Sequence, residues 1–125
     1  MSDTPTIVVA EDDDDIRTLV EFRLRSAGYR PVTTSDGAEA LTLIRDHRPA
    51  LAILDVMMPH MTGVEITRAL RADEATSGIP VILLTARVQE ADETAGFDAG
   101  ADDYIRKPFS PNALISRVQA ILGRR

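Results

Sequence analysis

Short apolar runs alternate along the chain with longer stretches in which apolar residues recur every three or four positions. Thr6 to Ala10 (Thr-Ile-Val-Val-Ala) is β-branched and apolar on both faces, which suits a strand buried inside a parallel sheet. Ile16, Leu19, Val20 and Leu24 follow at helical spacing, with Asp13 or Asp14 suited to cap the start and Gly28 to end the helix. Tyr29 to Thr34 predicts a second strand, and Pro31, which has no N–H to give a ladder, puts it at a sheet edge. Ser35 or Asp36 caps a second helix to about Arg48, with Ala38, Leu41 and Ile44 inward and Pro49 just beyond its end.

Leu51 to Asp55 is the third strand, four apolar residues leading straight into one carboxylate, followed by the Pro59 to Gly63 loop. Val64, Ile66 and Leu70 mark a third helix to about Ala72, and the polar Asp73 to Gly78 segment is a loop. Ile79 to Thr85 is a fourth strand with Pro80 near its start, where a missing donor matters least. Gln89 to Asp98 predicts a weak helix, acidic, poor in large apolar residues and interrupted by Gly96; low intrinsic stability suits a mobile element. Asp103 to Arg106 is a short last strand, and Ser110 with Pro111 opens an amphipathic helix carrying Leu114, Ile115, Val118, Ile121 and Leu122.

Five strands alternating with five helices predict an α/β, doubly wound, parallel sheet of the flavodoxin-like kind, covered on both faces. The order 2-1-3-4-5 places the Pro31 strand at an edge and sets the first and third strands side by side at the switch point. All 125 residues then form one domain, with tails at 1–5 and 123–125.

Composition narrows the function. The net charge of −6 disfavours direct binding to nucleic acid or anionic membrane, both of which need a basic face; protein partners and cations fit better. No cysteine is present, so disulfides and thiolate metal sites are excluded. No apolar run approaches the roughly 18 residues of a membrane span, and the N-terminus lacks a signal-peptide pattern. The expected location is cytoplasmic.

Carboxyl ends of strands are where open parallel sheets keep their chemistry. Glu11 and Asp12 follow the first strand, Asp55 ends the third, Thr85 ends the fourth and Lys107 follows the fifth, so the topology collects them on one rim. A strand-end carboxylate such as Asp55 serves as nucleophile, metal ligand or helix cap. Three carboxylates together repel unless a cation joins them, and oxygen donors of this kind suit Mg²⁺, with a backbone carbonyl and waters completing the shell. Lys107 and the Thr85 hydroxyl suit the oxygens of a transferring phosphoryl group, which leaves Asp55 as the nucleophile. Asp13 to Asp15 read as a solvated cluster with a cap. An EF-hand is excluded, because Arg17 and Arg23 stand at the sixth and twelfth positions from Asp12. His47 and His60 have no partner pattern and read as solvent-facing; Met57, Met58 and Met61 read as packing residues.

These residues carry a resemblance over essentially the whole chain. Glu11-Asp12, Asp55 with Met58-Pro59 and Gly63, Thr85-Ala86, and Lys107-Pro108-Phe109, in that order, resemble the receiver domains of two-component response regulators. The stretch Ala101 to Ser110 resembles receivers of the OmpR/PhoB class, which are attached to winged-helix DNA-binding domains, so the chain is expected to be either a free-standing receiver or one part of a larger regulator. The resemblance implies that Asp55 accepts a phosphoryl group from the histidine of a sensor kinase with Mg²⁺ bound, the Met57 carbonyl serving as the backbone ligand. It implies a cis peptide before Pro108, and Thr85 and Tyr104 as the switch relaying the change to a downstream protein or fused output domain. It implies no enzyme activity beyond the protein's own phosphorylation and dephosphorylation. Met57 and Arg87 stand where the family tunes hydrolysis, and neither is a general base.

The output face would comprise the helix over 89–98, the fifth strand and the last helix. Receivers of the winged-helix class dimerise there through cross-subunit ion pairs, and Asp103 and Arg117 match one pair, whereas Glu93 and Ala113 break another. A monomer is expected without phosphate and at most a weak dimer with it. Two rivals remain at this point. A phosphatase of the haloacid dehalogenase type would need a second Asp where Met57 stands, and a phosphorylation-independent interaction module would not need the intact acid pair, Thr85 and Lys107.

Overall fold

The five predicted strands pair in parallel in the computed structural model, which describes residues 4–85 and 99–123. They are β1 (Thr6–Ala10), β2 (Arg30–Thr34), β3 (Leu51–Asp55), β4 (Val81–Thr85) and β5 (Asp103–Arg106), in the spatial order β2-β1-β3-β4-β5. Pro31 thus lies on the edge strand, as its missing N–H requires. Among the described residues the helices are α1 (Asp14–Ser26), α2 (Gly37–His47), α3 (Gly63–Ala72) and α4 (Pro111–Leu122). The helix predicted over 89–98 lies outside the described residues. None of the described helices is long and apolar enough to cross a membrane.

Strand alternation divides the core between two sheet faces. Ile7, Val9, Leu51, Ile53, Ile82 and Leu84 pack against Val20 and Leu24 of α1 and Leu114, Val118 and Ile121 of α4. Val8, Ala52, Leu54, Val81 and Leu83 pack on the other face against Ala40 and Ile44 of α2 and Ile66 and Leu70 of α3. Each fully buried Leu or Ile contributes about 1.5–3 kcal/mol relative to leaving it in water, so this two-sided burial is what holds the central strands rigid beneath the rim.

Caps fall where the side chains direct them. Asp13, Asp36, Thr62 and Ser110 each accept a backbone N–H three residues on, and Thr62 with Glu65 completes a capping box. Gly28 takes a positive φ just beyond α1, as a helix-ending glycine does. One inward assignment fails: Ala38 faces solvent and Ala40 takes its place in the core. On short helices the 3.6-residue period leaves the phase open by one position, and the tertiary contacts decide it. At the far end of the sheet from the rim, Arg71 donates to the carbonyls of Gly100 and Ile79 and to Asp102, tying α3 to the starts of β4 and β5.

Candidate functional site

Strand register sets the rim. Ala10 lies opposite Leu54, so Glu11 leaves β1 beside Asp55 at the end of β3. Asp55 lies opposite Leu84, and Thr85 opposite Arg106, which brings Lys107 round at the next residue. Lys107 then reaches back across the top of the sheet. Its Nζ donates to Asp55 Oδ2 at 3.0 Å and forms an ion pair with Glu11 Oε1 at 2.6 Å. The second oxygen of each carboxylate is held by the chain: Glu11 Oε2 accepts from Asp13 N–H at 3.0 Å and Asp55 Oδ1 from Met57 N–H at 3.2 Å. The Lys107–Pro108 peptide is cis, as expected.

Glu11 is fully buried and Asp55 is 4% exposed, while Asp12 stands in solvent. Burial, then the proximity of Glu11, pushes the Asp55 carboxyl up to about 7 against the pull of Lys107. Burial also opposes the charge on Lys107, but Glu11 and Asp55 outweigh it and hold its amine above the usual lysine range. One lysine therefore serves two buried acids, and the site carries more negative charge than it neutralises.

Glu11, Asp12 and Asp55 each offer a carboxylate oxygen within 4.8 Å of the others. Ligands opposite one another on a Mg²⁺ ion are roughly 4 Å apart, so one small ion fits this set with little movement. All the donors are hard oxygens, and the surplus negative charge favours a cation. Asp12 and Asp55 line an open cleft of about 530 Å³ together with Asp13, Ile16, Met57, Lys107 and Pro108, and Glu11 lies buried behind it. Sequence reasoning missed Ile16 and Pro108 as walls of this cleft. Their signal was positional: Ile16 opens the helix that follows the acid pair, and Pro108 follows the lysine.

The chain matches the family model described as "Response regulator receiver domain" over residues 7–119. The chain belongs to that family. It is 42% identical over 118 residues to the DNA-binding response regulator MtrA of Mycolicibacterium smegmatis, one of several relatives of the OmpR/PhoB class, covering 94% of this chain and 50% of that protein. The chain thus spans about half the length of the curated relatives it matches. A response regulator from Chloroflexus aurantiacus superposes with a TM-score of 0.90 at 37% identity, covering 96% of this chain and 98% of the other. The receiver domain of a sensor histidine kinase from Pseudomonas aeruginosa, solved with magnesium coordinated in its active-site cleft, gives 0.88 at 32% identity, covering 96% and 98%.

Thr85, Tyr104, Asp103 and Arg117 of this receiver domain lie off the cleft. Thr85 is buried at the end of β4, and its carbonyl accepts from Lys107 N–H at 2.6 Å. Tyr104 is 9% exposed and packs in the core on the α2–α3 side of the sheet. It pairs with Leu83, two residues before Thr85, so Thr85 and Tyr104 share a sheet face. Arg117 Nη1 contacts both Asp103 carboxylate oxygens, at 2.7 and 2.8 Å, within the same chain. Of the methionines in the 57–61 stretch, Met58 is buried and Met61 packs against the core, but Met57 is 72% exposed; its side chain is cleft wall rather than packing. His60 is not without a partner: Nδ1 lies 2.6 Å from Asp36 Oδ1.

Proposed function

We propose that Asp55 is the phospho-acceptor of this receiver domain, taking its phosphoryl group from the phosphohistidine of a sensor histidine kinase. The observation that carries this is the arrangement around Asp55: a strand-end carboxylate 3.0 Å from Lys107 Nζ, with Glu11 and Asp12 oxygens within 4.8 Å. Glu11, Asp12 and Asp55, with the Met57 carbonyl, would hold Mg²⁺, which supplies charge neutralisation for the acids and the phosphoryl oxygens. An Asp55 carboxylate oxygen bonds to phosphorus as the bond from phosphorus to the imidazole nitrogen breaks, and the electron pair leaves with the imidazole. Lys107 stands where its ammonium offsets charge on the phosphoryl oxygens. Labelling with acetyl phosphate and Mg²⁺ tests the assignment: it should vanish in Asp55→Ala, and undiminished labelling of that variant overturns it.

The side chain two residues after Asp55 argues against a turnover phosphatase. Met57 offers no proton-transfer group at the cleft wall, so the domain catalyses only its own phosphorylation and dephosphorylation. For the same reason the acyl phosphate should be comparatively long-lived. Met57→Asn, which places a water-orienting amide there, should speed its decay several-fold; an unchanged decay rate in Met57→Asn refutes this.

Thr85 and Tyr104 would act as the switch, the hydroxyl moving toward the phosphoryl oxygens and the ring repacking behind it, as a population shift of a bistable element. The output face then includes Asp103 and Arg117. Paired within one chain, they must exchange partners to bridge two subunits, and exposed pairs contribute only about 0–1 kcal/mol each. We expect a monomer without phosphate and at most a weak dimer with it, checked by sedimentation with and without beryllofluoride; a tight unmodified dimer contradicts this. The partners are then the kinase and a downstream protein or fused output domain, in the cytoplasm, with no nucleic acid or membrane bound by this domain itself.

A further inference from the structure

Beyond Met57, the loop joining β3 to α3 leans on the first residues of α2. Gly37 N–H donates to the Pro59 carbonyl at 3.1 Å. A Cβ on Gly37 would lie 1.8 Å from the Met61 carbonyl oxygen and 2.7 Å from its carbon, so backbone touches backbone and only glycine fits. Asp36 does two jobs with one carboxylate: Oδ2 accepts from Glu39 N–H at 3.3 Å as the cap of α2, and Oδ1 takes the His60 Nδ1 proton at 2.6 Å. The His60 bond is the main reason that the Asp36 carboxyl lies below the usual carboxylate range. His60 itself has φ +70°, a left-handed conformation that costs a side chain about 1 kcal/mol and that the bond to Asp36 helps to hold.

The same loop is anchored at its other end. Val56 N–H donates to the Leu84 carbonyl at 2.8 Å, the Val56 carbonyl accepts from Gly63 N–H at 3.1 Å, and a Cβ on Gly63 would lie 2.6 Å from the Asp55 carbonyl oxygen. Met58 is buried in the core. Met57, at the cleft wall, is therefore held between fixed points on both sides. Loosening the α2 end would free the Met57 peptide, and with it the N–H that Asp55 Oδ1 accepts, without touching any carboxylate of the cleft.

We propose that Asp36, Gly37 and His60 form a strap that positions the Met57 main chain and Asp55 for the cation and the phosphoryl group. They are positioning residues, and the inference rests on the function proposed above. Gly37→Ala should drive the loop off the helix start and weaken Mg²⁺ binding roughly 10-fold, the scale on which outer supports of a metal site act. His60→Ala, which removes the bond and keeps the strained backbone, should weaken it about threefold. His60→Asn should restore it, because asparagine tolerates positive φ and its amide nitrogen stands where Nδ1 stood. The His60 side chain is 74% exposed, so neither His60 variant threatens folding.

The experiment is calorimetric titration of wild type, Gly37→Ala, His60→Ala and His60→Asn with Mg²⁺ alone, alongside labelling by acetyl phosphate and thermal melts. Weakened Mg²⁺ binding in the first two variants, recovered in His60→Asn at unchanged melting temperature, supports the strap. Wild-type affinity in Gly37→Ala and His60→Ala, or an affinity in His60→Asn as poor as in His60→Ala, overturns the strap while leaving Asp55 phosphorylation standing. Wild-type protein that binds no Mg²⁺ overturns the underlying reading and the strap with it.

Discussion

Lys107→Met is expected to lower the melting temperature by about 10 °C at pH 8 without divalent cations, a loss of about 3 kcal/mol. The substituted side chain keeps the length and most of the packing of lysine but not its charge. Glu11 and Asp55, both buried, then face one another with nothing between them. Breaking a buried pair by removing one partner costs more than the pair contributes, because the remaining charges have left water and gained nothing. The loss should shrink as pH falls through about 7, where protonation discharges Asp55, and in saturating Mg²⁺, which replaces the missing positive charge. Thermal melts across pH, with and without Mg²⁺, measure this; a pH-independent loss would mean that packing, not charge, is what Lys107 provides.

The opposite sign is expected for Asp55→Asn. The folded-state carboxyl is raised from 3.8 to about 7, so its contribution favours folding below the unfolded value and is lost as pH rises through the folded one. Wild-type protein without cations should therefore weaken between about pH 4 and pH 7, and Asp55→Asn should remove that dependence. Solvent at the cleft mouth screens part of the penalty, leaving a gain on the order of 1–2 kcal/mol at pH 8. Mg²⁺ should stabilise the wild type by about 2.7 kcal/mol at 100 times its dissociation constant and the variant far less. In the Asp55→Asn background Lys107→Met should cost less than in the wild type, a coupling that separates shared electrostatics from independent effects. Equal Mg²⁺ stabilisation of both proteins would remove Asp55 from the cation site.

The three central strands β1, β3 and β4 were legible because each is a short apolar run closed by a polar residue, and a central parallel strand tolerates little else. The runs Thr6–Ala10, Leu51–Asp55 and Asp103–Arg106 match β1, β3 and β5 residue for residue, while the second and fourth lose one and two residues at their starts. Pro80 accounts for the latter: ladder pairing begins after the residue that cannot donate. The cluster of Glu11, Asp12, Asp55 and Lys107 was legible because the strand order alone brings these chain positions to one rim. That the lysine touches Glu11 as well as Asp55 was not, because that depends on how far Glu11 sinks beneath the surface. The Asp36–His60 contact left no trace in the sequence either. It joins residues 24 apart through a left-handed histidine and a glycine-only backbone approach, and no periodicity announces either. The intrachain pairing of Asp103 with Arg117 is likewise a matter of how β5 and α4 cross.

We propose Asp55 as the residue that carries the phosphoryl group. Incubation of the wild-type protein with acetyl phosphate and Mg²⁺, followed by borohydride reduction and peptide mass spectrometry, locates an acyl phosphate directly, since the reduction converts a phosphorylated aspartate to homoserine. The expected result is homoserine at position 55 and at no other acid, dependent on Mg²⁺ and absent when Mg²⁺ is chelated. Homoserine at Glu11's neighbour Asp12 or at Asp13, or a product at position 55 that forms equally well in the presence of chelator, would contradict the account.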